Sequence, residues 1–168
     1  AVMTDALNAA NGAVFERSNE DENFYGMGTT IVAALIDCGD CVIMNVGDSR
    51  AYVVSQNSIR RVTNDHSVTE ELIRQGRLTP KAAQDYPARN FITRAVGTDE
   101  EVEPEFYSEK ISEGDVVLLC SDGLTNMVTD GEMLDAVADP DDLFSGGNRL
   151  VALANERGGP DNITVVIQ

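Results

Sequence analysis

Hydrophobic and polar residues are arranged along most of the chain in patterns that predict short β-strands joined by tight turns. Residues 29–37 are rich in apolar and β-branched side chains, and residues 41–46 repeat that composition after the turn at Gly39-Asp40. Closely spaced strands with short connections are typical of an antiparallel sheet. The predicted strands are residues 29–37, 41–46, 51–55, 59–62, 106–111, 116–120 and 163–167.

The first residues follow a helical period instead. Apolar residues recur from Leu7 to Phe15 at helical spacing, which predicts an amphipathic helix capped by Thr4 or Asp5. Residues 18–23 are polar and acidic and predict a loop. Further helices are predicted at residues 69–75, from Pro80, from the capping box 129–132 to residue 137, and at 150–156. Strands and helices together predict an α+β fold.

The segment from residue 64 to residue 90 differs from the rest of the chain. It is polar, contains short helical stretches and lacks enough large apolar residues to form a core of its own. We therefore predict that it is an excursion from the domain rather than a second domain.

The charge of the 168-residue chain limits the partners that it can bind. Twelve Lys and Arg residues stand against 29 Asp and Glu residues, which gives a formal net charge of -17. Such a surface repels phosphate backbones and anionic lipids, so we expect neither nucleic acid binding nor membrane docking. No apolar run approaches the roughly 20 residues that cross a bilayer. The length suits a single domain over residues 1–168.

The three cysteines are too few for a disulfide framework, which favours a reducing compartment and predicts a cytoplasmic protein. Cys38 and Cys41 form a C-x-x-C sequence that straddles a strand turn. A zinc site there would need further ligands, and only Cys120 and His66 remain. We therefore expect ordinary, half-buried cysteines. His66 is expected to form structural hydrogen bonds, and Arg94 to pair with an acidic group. The acidic runs at residues 20–22, 99–103 and 139–142 are expected at the surface.

Three aspartates occupy similar positions at the ends of apolar strands. Asp48 follows the strand that ends at Val46. Asp122 follows the apolar strand at residues 116–120, and Asp161 precedes the last strand. Carboxylates gathered at one edge of a core repel one another, and a hard divalent cation such as Mg²⁺ or Mn²⁺ removes that cost. Each aspartate alone also fits an ordinary turn, so the spacing leaves both roles open.

Longer motifs distinguish between these roles. Five of them follow one another along nearly the whole chain: Gly26-Met27-Gly28-Thr29-Thr30, Gly47-Asp48-Ser49-Arg50-Ala51-Tyr52, Asp65-His66-Ser67, Ser121-Asp122-Gly123-Leu124-Thr125 and Gly158-Gly159-Pro160-Asp161-Asn162-Ile163-Thr164. In this order they resemble the successive signatures of the metal-dependent protein phosphatases, the PPM or type 2C family. The likeness is greatest to the bacterial Ser/Thr phosphatases of that family.

The resemblance implies both a fold and an activity. The fold would be a sandwich of two antiparallel β-sheets flanked by helices. The activity would be hydrolysis of phosphoserine and phosphothreonine by attack of a metal-activated water, with two or three Mg²⁺ or Mn²⁺ ions in the complete domain. The partners would be phosphoproteins, such as a Ser/Thr kinase and its targets.

The resemblance also assigns site residues. Asp122 and Asp161 would bind a metal of the central pair, and Asp48 with Asp122 would serve a third, weaker metal site. Asn162 would orient Asp161. The segment at residues 64–90 would be the family's flap beside the substrate cleft. Beyond these metal ligands, no residue is assigned a catalytic role.

The chain departs from the family pattern at its start. The family's first strands include an Asp-Gly-Met-Gly-Gly-His-like segment with the aspartate that bridges both central metals. Gly26-Met27-Gly28 lacks a preceding aspartate, and residues 19–21 are interpreted as loop. We therefore expect a domain that is incomplete at its N-terminus and, as this chain alone, inactive. The alternative is a catalytically silent binding or regulatory module, and either the missing piece or a second copy of the chain would cover the unpaired sheet edges.

Overall fold

Strands and helices alternate along the chain, which begins with a helix and ends with a strand. The computed structural model describes residues 1–83, 85–139 and 142–168. The strands are β1 (Ile31–Asp37), β2 (Asp40–Val46), β3 (Arg50–Ser55), β4 (Ser58–Arg61), β5 (Glu105–Lys110), β6 (Val116–Cys120) and β7 (Val165–Ile167). The helices are α1 (Val2–Glu20), α2 (Val68–Arg74), α3 (Pro80–Ala83), α4 (Asp122–Thr125), α5 (Asp130–Ala136) and α6 (Leu143–Glu156).

These strands form two sheets. One contains three strands in the order β1-β2-β5, and the other contains four in the order β4-β3-β6-β7. In the four-stranded sheet every neighbouring pair is antiparallel, and Arg50 of β3 lies opposite Cys120 of β6. The register brings the start of β3 beside the end of β6, after which Asp122 follows.

The described chain divides into two units. The first comprises Ala1–Ile31, Met44–Asp48 and Asn64–Phe106, and the second comprises Val32–Ile43, Ser49–Thr63 and Tyr107–Gln168.

The alternation of side chains along β3 explains how the second unit packs. Tyr52 and Val54 join a buried cluster with residues of β6 and of helices α4, α5 and α6. Ala51 and Val53 point the other way and join a second cluster with Cys41 and other residues of β2 and β6. Because side chains alternate between the two faces of a strand, β3 contributes to both clusters. One face of the four-stranded sheet thus carries the helices, and the other packs against residues of the three-stranded sheet.

In the first unit a buried asparagine joins helix α1 to a turn. Asn11 is 2% exposed. Its side-chain oxygen accepts from the main-chain N–H of Gly97 at 2.7 Å, and its amide nitrogen donates to the carbonyls of Asp99 and Glu100 at 3.0 Å each. Gly97 has φ +87° and lies against Val14, so a larger residue would not fit there. The buried side chain of Asn11 is therefore satisfied by backbone groups of this turn.

The sequence located every strand and most helices correctly, with corrections at helix ends. The predicted cap of α1 at Thr4 or Asp5 is wrong, since the helix begins at Val2 with Ala1 as its N-cap and no side-chain capping bond. The loop predicted at residues 18–23 is also wrong at both ends, because α1 continues to Glu20 and a short 3-10 helix spans Glu22–Phe24. An acidic first turn and a capping residue inside a longer helix are indistinguishable by sequence from a true start.

Two further differences concern the second half of the chain. Helix α4 was not predicted, because four residues are too few to show a period. Helix α6 begins at Leu143, seven residues before the predicted start, with Asp142 accepting from the N–H of Ser145 as its cap. The capping box of Thr129 and Glu132 is confirmed. Residues 140 and 141 of the predicted acidic run lie outside the described residues.

Candidate metal centre

The motif around Asp122 lies where a buried strand turns into a short helix. Strand β6 ends at Cys120, Ser121 is the N-cap of α4, and Asp122 is the first helical residue. The Ser121 side chain makes no capping bond to this helix. Its hydroxyl instead forms hydrogen bonds with the segment after Asp161.

Ser121 joins the Asp122 turn to the segment after Asp161. Its hydroxyl donates to the carbonyl of Asn162 at 3.1 Å and accepts from the N–H of Thr164 at 3.0 Å. Its main-chain N–H donates to the carbonyl of Thr164 at 3.1 Å. Three hydrogen bonds from one residue therefore fix the segment that carries Asp161 beside the turn that carries Asp122.

The two segments are also in close backbone contact. A Cβ atom on Gly123 would lie 2.3 Å from the carbonyl oxygen of Asn162 and 3.0 Å from its carbon. Such separations are far below van der Waals contact, so only glycine permits this approach. The φ of Gly123 lies outside the left-handed region in which glycine is favoured. Glycine is therefore required here by packing and not by backbone conformation.

The charge of Asp161 acts on the carboxyl group of Asp122. Partial burial raises the pKa of Asp122 above its ordinary value, and the negative charge of Asp161 raises it further. This rise in pKa is partly offset by a hydrogen bond from the N–H of Gly123, by the charge of Arg50 and by the side chain of Asn126. The Asn126 amide donates to Asp122 Oδ2 at 3.3 Å. Ionised Asp122 is thus held in an unfavourable setting that a bound cation would relieve.

Asn162 contacts Asp161 through its main chain. The N–H of Asn162 donates to Asp161 Oδ1 at 2.7 Å, which restrains the carboxylate next to it in the sequence. Both side chains are exposed. Asp161 is therefore accessible from solvent, with one carboxylate oxygen restrained by backbone.

Asp48 belongs to the first unit, while Asp122 and Asp161 belong to the second. Asp48 follows Gly47 at the end of β2, and Gly47 is hydrogen-bonded to His66. His66, the only histidine of the chain, is buried, with 6% exposure. The structural hydrogen bonds expected of it are those with Gly47.

The surroundings of His66 include two charged side chains. Arg94 donates to the carbonyl of Glu103 at 2.7 Å, and its Nη1 lies 3.4 Å from His66 Nε2. Burial lowers the pKa of His66, and Arg94 lowers it further, while Glu105 opposes the change. The imidazole therefore stays neutral at physiological pH.

The candidate ligands meet the needs of a divalent cation only in part. Asp122 and Asp161 fit, because they are oxygen donors whose mutual repulsion a cation removes. In the part of the chain that the structure describes, however, no three His, Cys, Asp or Glu side chains form a group that could hold a metal ion. Asp122 and Asp161 are therefore candidate ligands only, and the set of three aspartates stays a prediction.

The cysteines take no part in a site within the described residues. Cys38 is exposed in the β1–β2 turn, and Cys41 is buried in the sheet core with its thiol pKa raised by burial. A raised pKa opposes thiolate chemistry at Cys41. The expectation of half-buried cysteines is wrong, since Cys38 is exposed while Cys41 and Cys120 are buried. No helix among the described residues is both long enough and apolar enough to cross a membrane.

Sequence reasoning missed two residues of this region. Ser121 belongs to one of the five motifs, but nothing in the sequence pairs it with Thr164, which lies 43 residues away. Arg50 was likewise given no role, although its charge lowers the pKa of Asp122. The only signal for Arg50 was its place directly after the turn that carries Asp48.

Two features define the class of protein. One is the fold of two antiparallel sheets with flanking helices, and the other is the Asp-Gly turn that faces a Pro-Asp-Asn segment. The family model described as protein phosphatase 2C matches residues 3–142. The chain therefore belongs to the protein phosphatase 2C family. The resemblance inferred from the five motifs and the predicted fold class are both confirmed.

Individual relatives extend this likeness over nearly the whole chain. The serine/threonine phosphatase stp of Listeria welshimeri is 41% identical over 161 residues, which are 96% of this chain and 64% of that protein. A crystal structure of a bacterial serine phosphatase matches with a TM-score of 0.92 at 36% identity, over 98% of this chain and 67% of that one.

A further solved structure is that of the catalytic domain of the serine threonine protein phosphatase PstP in complex with two manganese ions. It matches with a TM-score of 0.88 at 34% identity, over 98% of this chain and 68% of that one. The present chain thus spans about two thirds of the length of the relatives that it matches.

Proposed function

We propose that these residues are part of a metal-dependent protein phosphatase that hydrolyses phosphoserine and phosphothreonine. The observation that carries the proposal is the proximity of Asp122 and Asp161 in a chain of this family: burial raises the pKa of Asp122, and the charge of Asp161 raises it further. The relative stp, aligned over 96% of this chain, is named a serine/threonine phosphatase. Phosphoproteins, including a Ser/Thr kinase and its targets, are the substrates that this activity implies, and the cytoplasm is the proposed location.

Each aspartate has a proposed role. Asp122 and Asp161 bind one cation of a central pair, and Asp48 joins Asp122 at a third, weaker site. The cation is Mg²⁺ or Mn²⁺, and the two manganese ions of the PstP structure support the latter. When bound, such ions lower the pKa of a water molecule for attack and neutralise the oxygens of the phosphoryl group.

The chain's own residues prepare this site. Ser121 holds the Asp161 segment in place, and the N–H of Asn162 restrains the Asp161 carboxylate. Gly123 allows the two segments to approach. The segment at residues 64–90 is proposed to border the substrate cleft as a flap. The protein's contribution is thus to fix two carboxylates in spite of their repulsion.

The 168-residue chain alone is proposed to be inactive. The support is that the described residues hold no group of three or more side chains suited to a metal. A second candidate function has the same support, namely a catalytically silent module of this fold that binds or regulates. The retention of Asp122 and Asp161 in mutual repulsion favours the enzyme, because a silent module gains nothing from that cost.

Phosphopeptide hydrolysis distinguishes these proposals. The 168-residue chain and the complete reading frame that encodes it are assayed with Mn²⁺ on a phosphothreonine peptide, with Asp122→Asn and Asp161→Asn variants of each. The phosphatase is supported if the protein encoded by the complete reading frame hydrolyses the peptide and each substitution abolishes that hydrolysis. Robust turnover by the 168-residue chain refutes its inactivity, and an inert complete product supports the silent module.

Exposed strand edges suggest how a longer partner segment or a second copy would bind. Among the described strands, β1 and β5 lie at the edges of one sheet, and β4 and β7 lie at the edges of the other. Leu35 on β1 is 54% exposed, and Val166 on β7 is 53% exposed. Apolar edge strands invite strand addition. Light scattering of the purified chain tests this, and a stable monomer without a companion peptide would contradict it.

A further inference from the structure

The residue before Asp48 is held by three hydrogen bonds from two buried residues. The N–H of Gly47 donates to Nδ1 of His66 at 3.0 Å. The carbonyl of Gly47 accepts from the main-chain N–H of His66 at 2.9 Å and from the side-chain amide of Asn45 at 3.2 Å. Asn45 is fully buried and His66 nearly so. Breaking such bonds leaves buried polar groups unpaired, so both peptide groups of Gly47 keep a single arrangement.

The conformation of Gly47 is one that needs support. Its φ is +108°, and a Cβ atom on it would lie 2.4 Å from Cγ2 of Thr30. Only glycine fits this position, and glycine is the residue with the greatest backbone freedom. The direction in which the chain enters Asp48 therefore depends on the bonds that hold Gly47.

His66 is itself anchored on its other side. Its carbonyl accepts from the N–H of Thr93 at 2.8 Å. Its Nε2 lies 3.6 Å from Oε1 of Glu105. Because an N–H can only donate, Nδ1 must be the acceptor atom of the ring, and the proton of the neutral imidazole is on Nε2. The ring thus has one tautomer and one orientation.

We infer that His66 is a positioning residue for Asp48, whose carboxylate it fixes for cation binding by holding the peptide groups of Gly47. This inference rests on the proposed function, which assigns Asp48 to a divalent cation site. His66 contacts neither the cation nor the substrate, and it acts only through Gly47. Removing a residue that supports a metal ligand in this way typically weakens metal affinity 10- to 100-fold.

Two substitutions separate this role from simple packing. His66→Asn keeps an acceptor oxygen close to the position of Nδ1, whereas His66→Leu removes the acceptor and fills the buried site with an apolar side chain. A positioning role predicts that Asn restores what Leu loses. A packing role predicts the reverse, because leucine suits a buried site better than asparagine.

The readouts are amide exchange at Gly47 and Mn²⁺ broadening at Asp48, both measured by NMR on the ¹⁵N-labelled 168-residue chain. In the wild type and His66→Asn, we expect slow exchange at Gly47 and broadening of the Asp48 amide at the same Mn²⁺ concentration. In His66→Leu, we expect fast exchange at Gly47 and a requirement for at least about tenfold more Mn²⁺. Unchanged behaviour in His66→Leu, or no rescue by asparagine, would overturn the inference.

A measurement on the wild type alone keeps the inference testable if His66→Leu does not fold. The chain has a single histidine, so its ring ¹⁵N signals are unambiguous. We expect an unprotonated Nδ1 and a protonated Nε2, and the opposite tautomer would overturn the inference. If the tautomer is as expected but Mn²⁺ broadens neither Asp48 nor Asp122, the proposed metal function fails, and this role of His66 is refuted with it.

Discussion

Replacing Gly123 by alanine places a methyl group where the backbone of Asn162 now lies. The new Cβ would be 2.3 Å from the carbonyl oxygen of Asn162, so one of the two segments must move. Overpacking of this kind costs about 1–3 kcal/mol. The displaced carbonyl adjoins Asp161, so Gly123→Ala should also weaken Mn²⁺ binding, by about 10- to 100-fold if it acts like the loss of a supporting contact.

Gly131 provides a matched control in the same chain. Both glycines follow an aspartate at the first position of a short helix, α4 for Gly123 and α5 for Gly131. A Cβ on Gly131 would meet nothing within 4 Å. Gly131→Ala should therefore stabilise the chain by up to about 1 kcal/mol through helix propensity.

Urea unfolding followed by circular dichroism, together with Mn²⁺ titration, measures both effects. We expect the two alanine variants to move the free energy of unfolding in opposite directions and only Gly123→Ala to reduce Mn²⁺ affinity. If Gly123→Ala were as stable as the wild type and bound Mn²⁺ equally well, the proposed role of the backbone contact between Gly123 and Asn162 would be refuted.

Three further predictions concern ionisable groups. In metal-free buffer at pH 7, Asp122→Asn should stabilise the fold by about 0.5 kcal/mol, because the folded state raises the pKa of this carboxyl beside Asp161; urea unfolding that shows a loss would contradict this. Arg157 lowers the pKa of Glu132 to about 2, so the lower melting temperature of Glu132→Gln at pH 7 should converge with that of the wild type as the pH falls from 4.5 to 2. His66 has a lowered pKa, so its NMR titration midpoint should lie below 6.5, and stability should fall as the pH drops below that value.

The strands could be predicted because alternation along β3 has a direct physical cause. Tyr52 and Val54 face the helices while Ala51 and Val53 face the other sheet, so apolar residues fill the interior of the strand. Such runs stand out in a polar sequence. The order of five motifs then indicated the family, which composition and spacing alone did not reveal.

The details of the site could not be predicted because they depend on contacts between distant residues. The bridge from Ser121 to Thr164 joins positions 43 residues apart, and no local pattern indicates it. The hydrogen bond from Gly47 to His66 likewise joins positions 19 residues apart. A sequence shows that an aspartate is present, but the pKa of Asp122 depends on which charges the fold places around it.

Mn²⁺ binding by the 168-residue chain, followed by electron paramagnetic resonance of the free ion, tests the central claim most directly. The proteins compared are the wild type, Asp122→Asn, Asp161→Asn and the control Asp130→Asn, in which the exchanged aspartate opens α5 as Asp122 opens α4. We predict saturable binding by the wild type and the control, with affinity at least about tenfold lower in the other two variants. Indistinguishable titration curves for all four proteins would contradict the assignment of Asp122 and Asp161 as metal ligands.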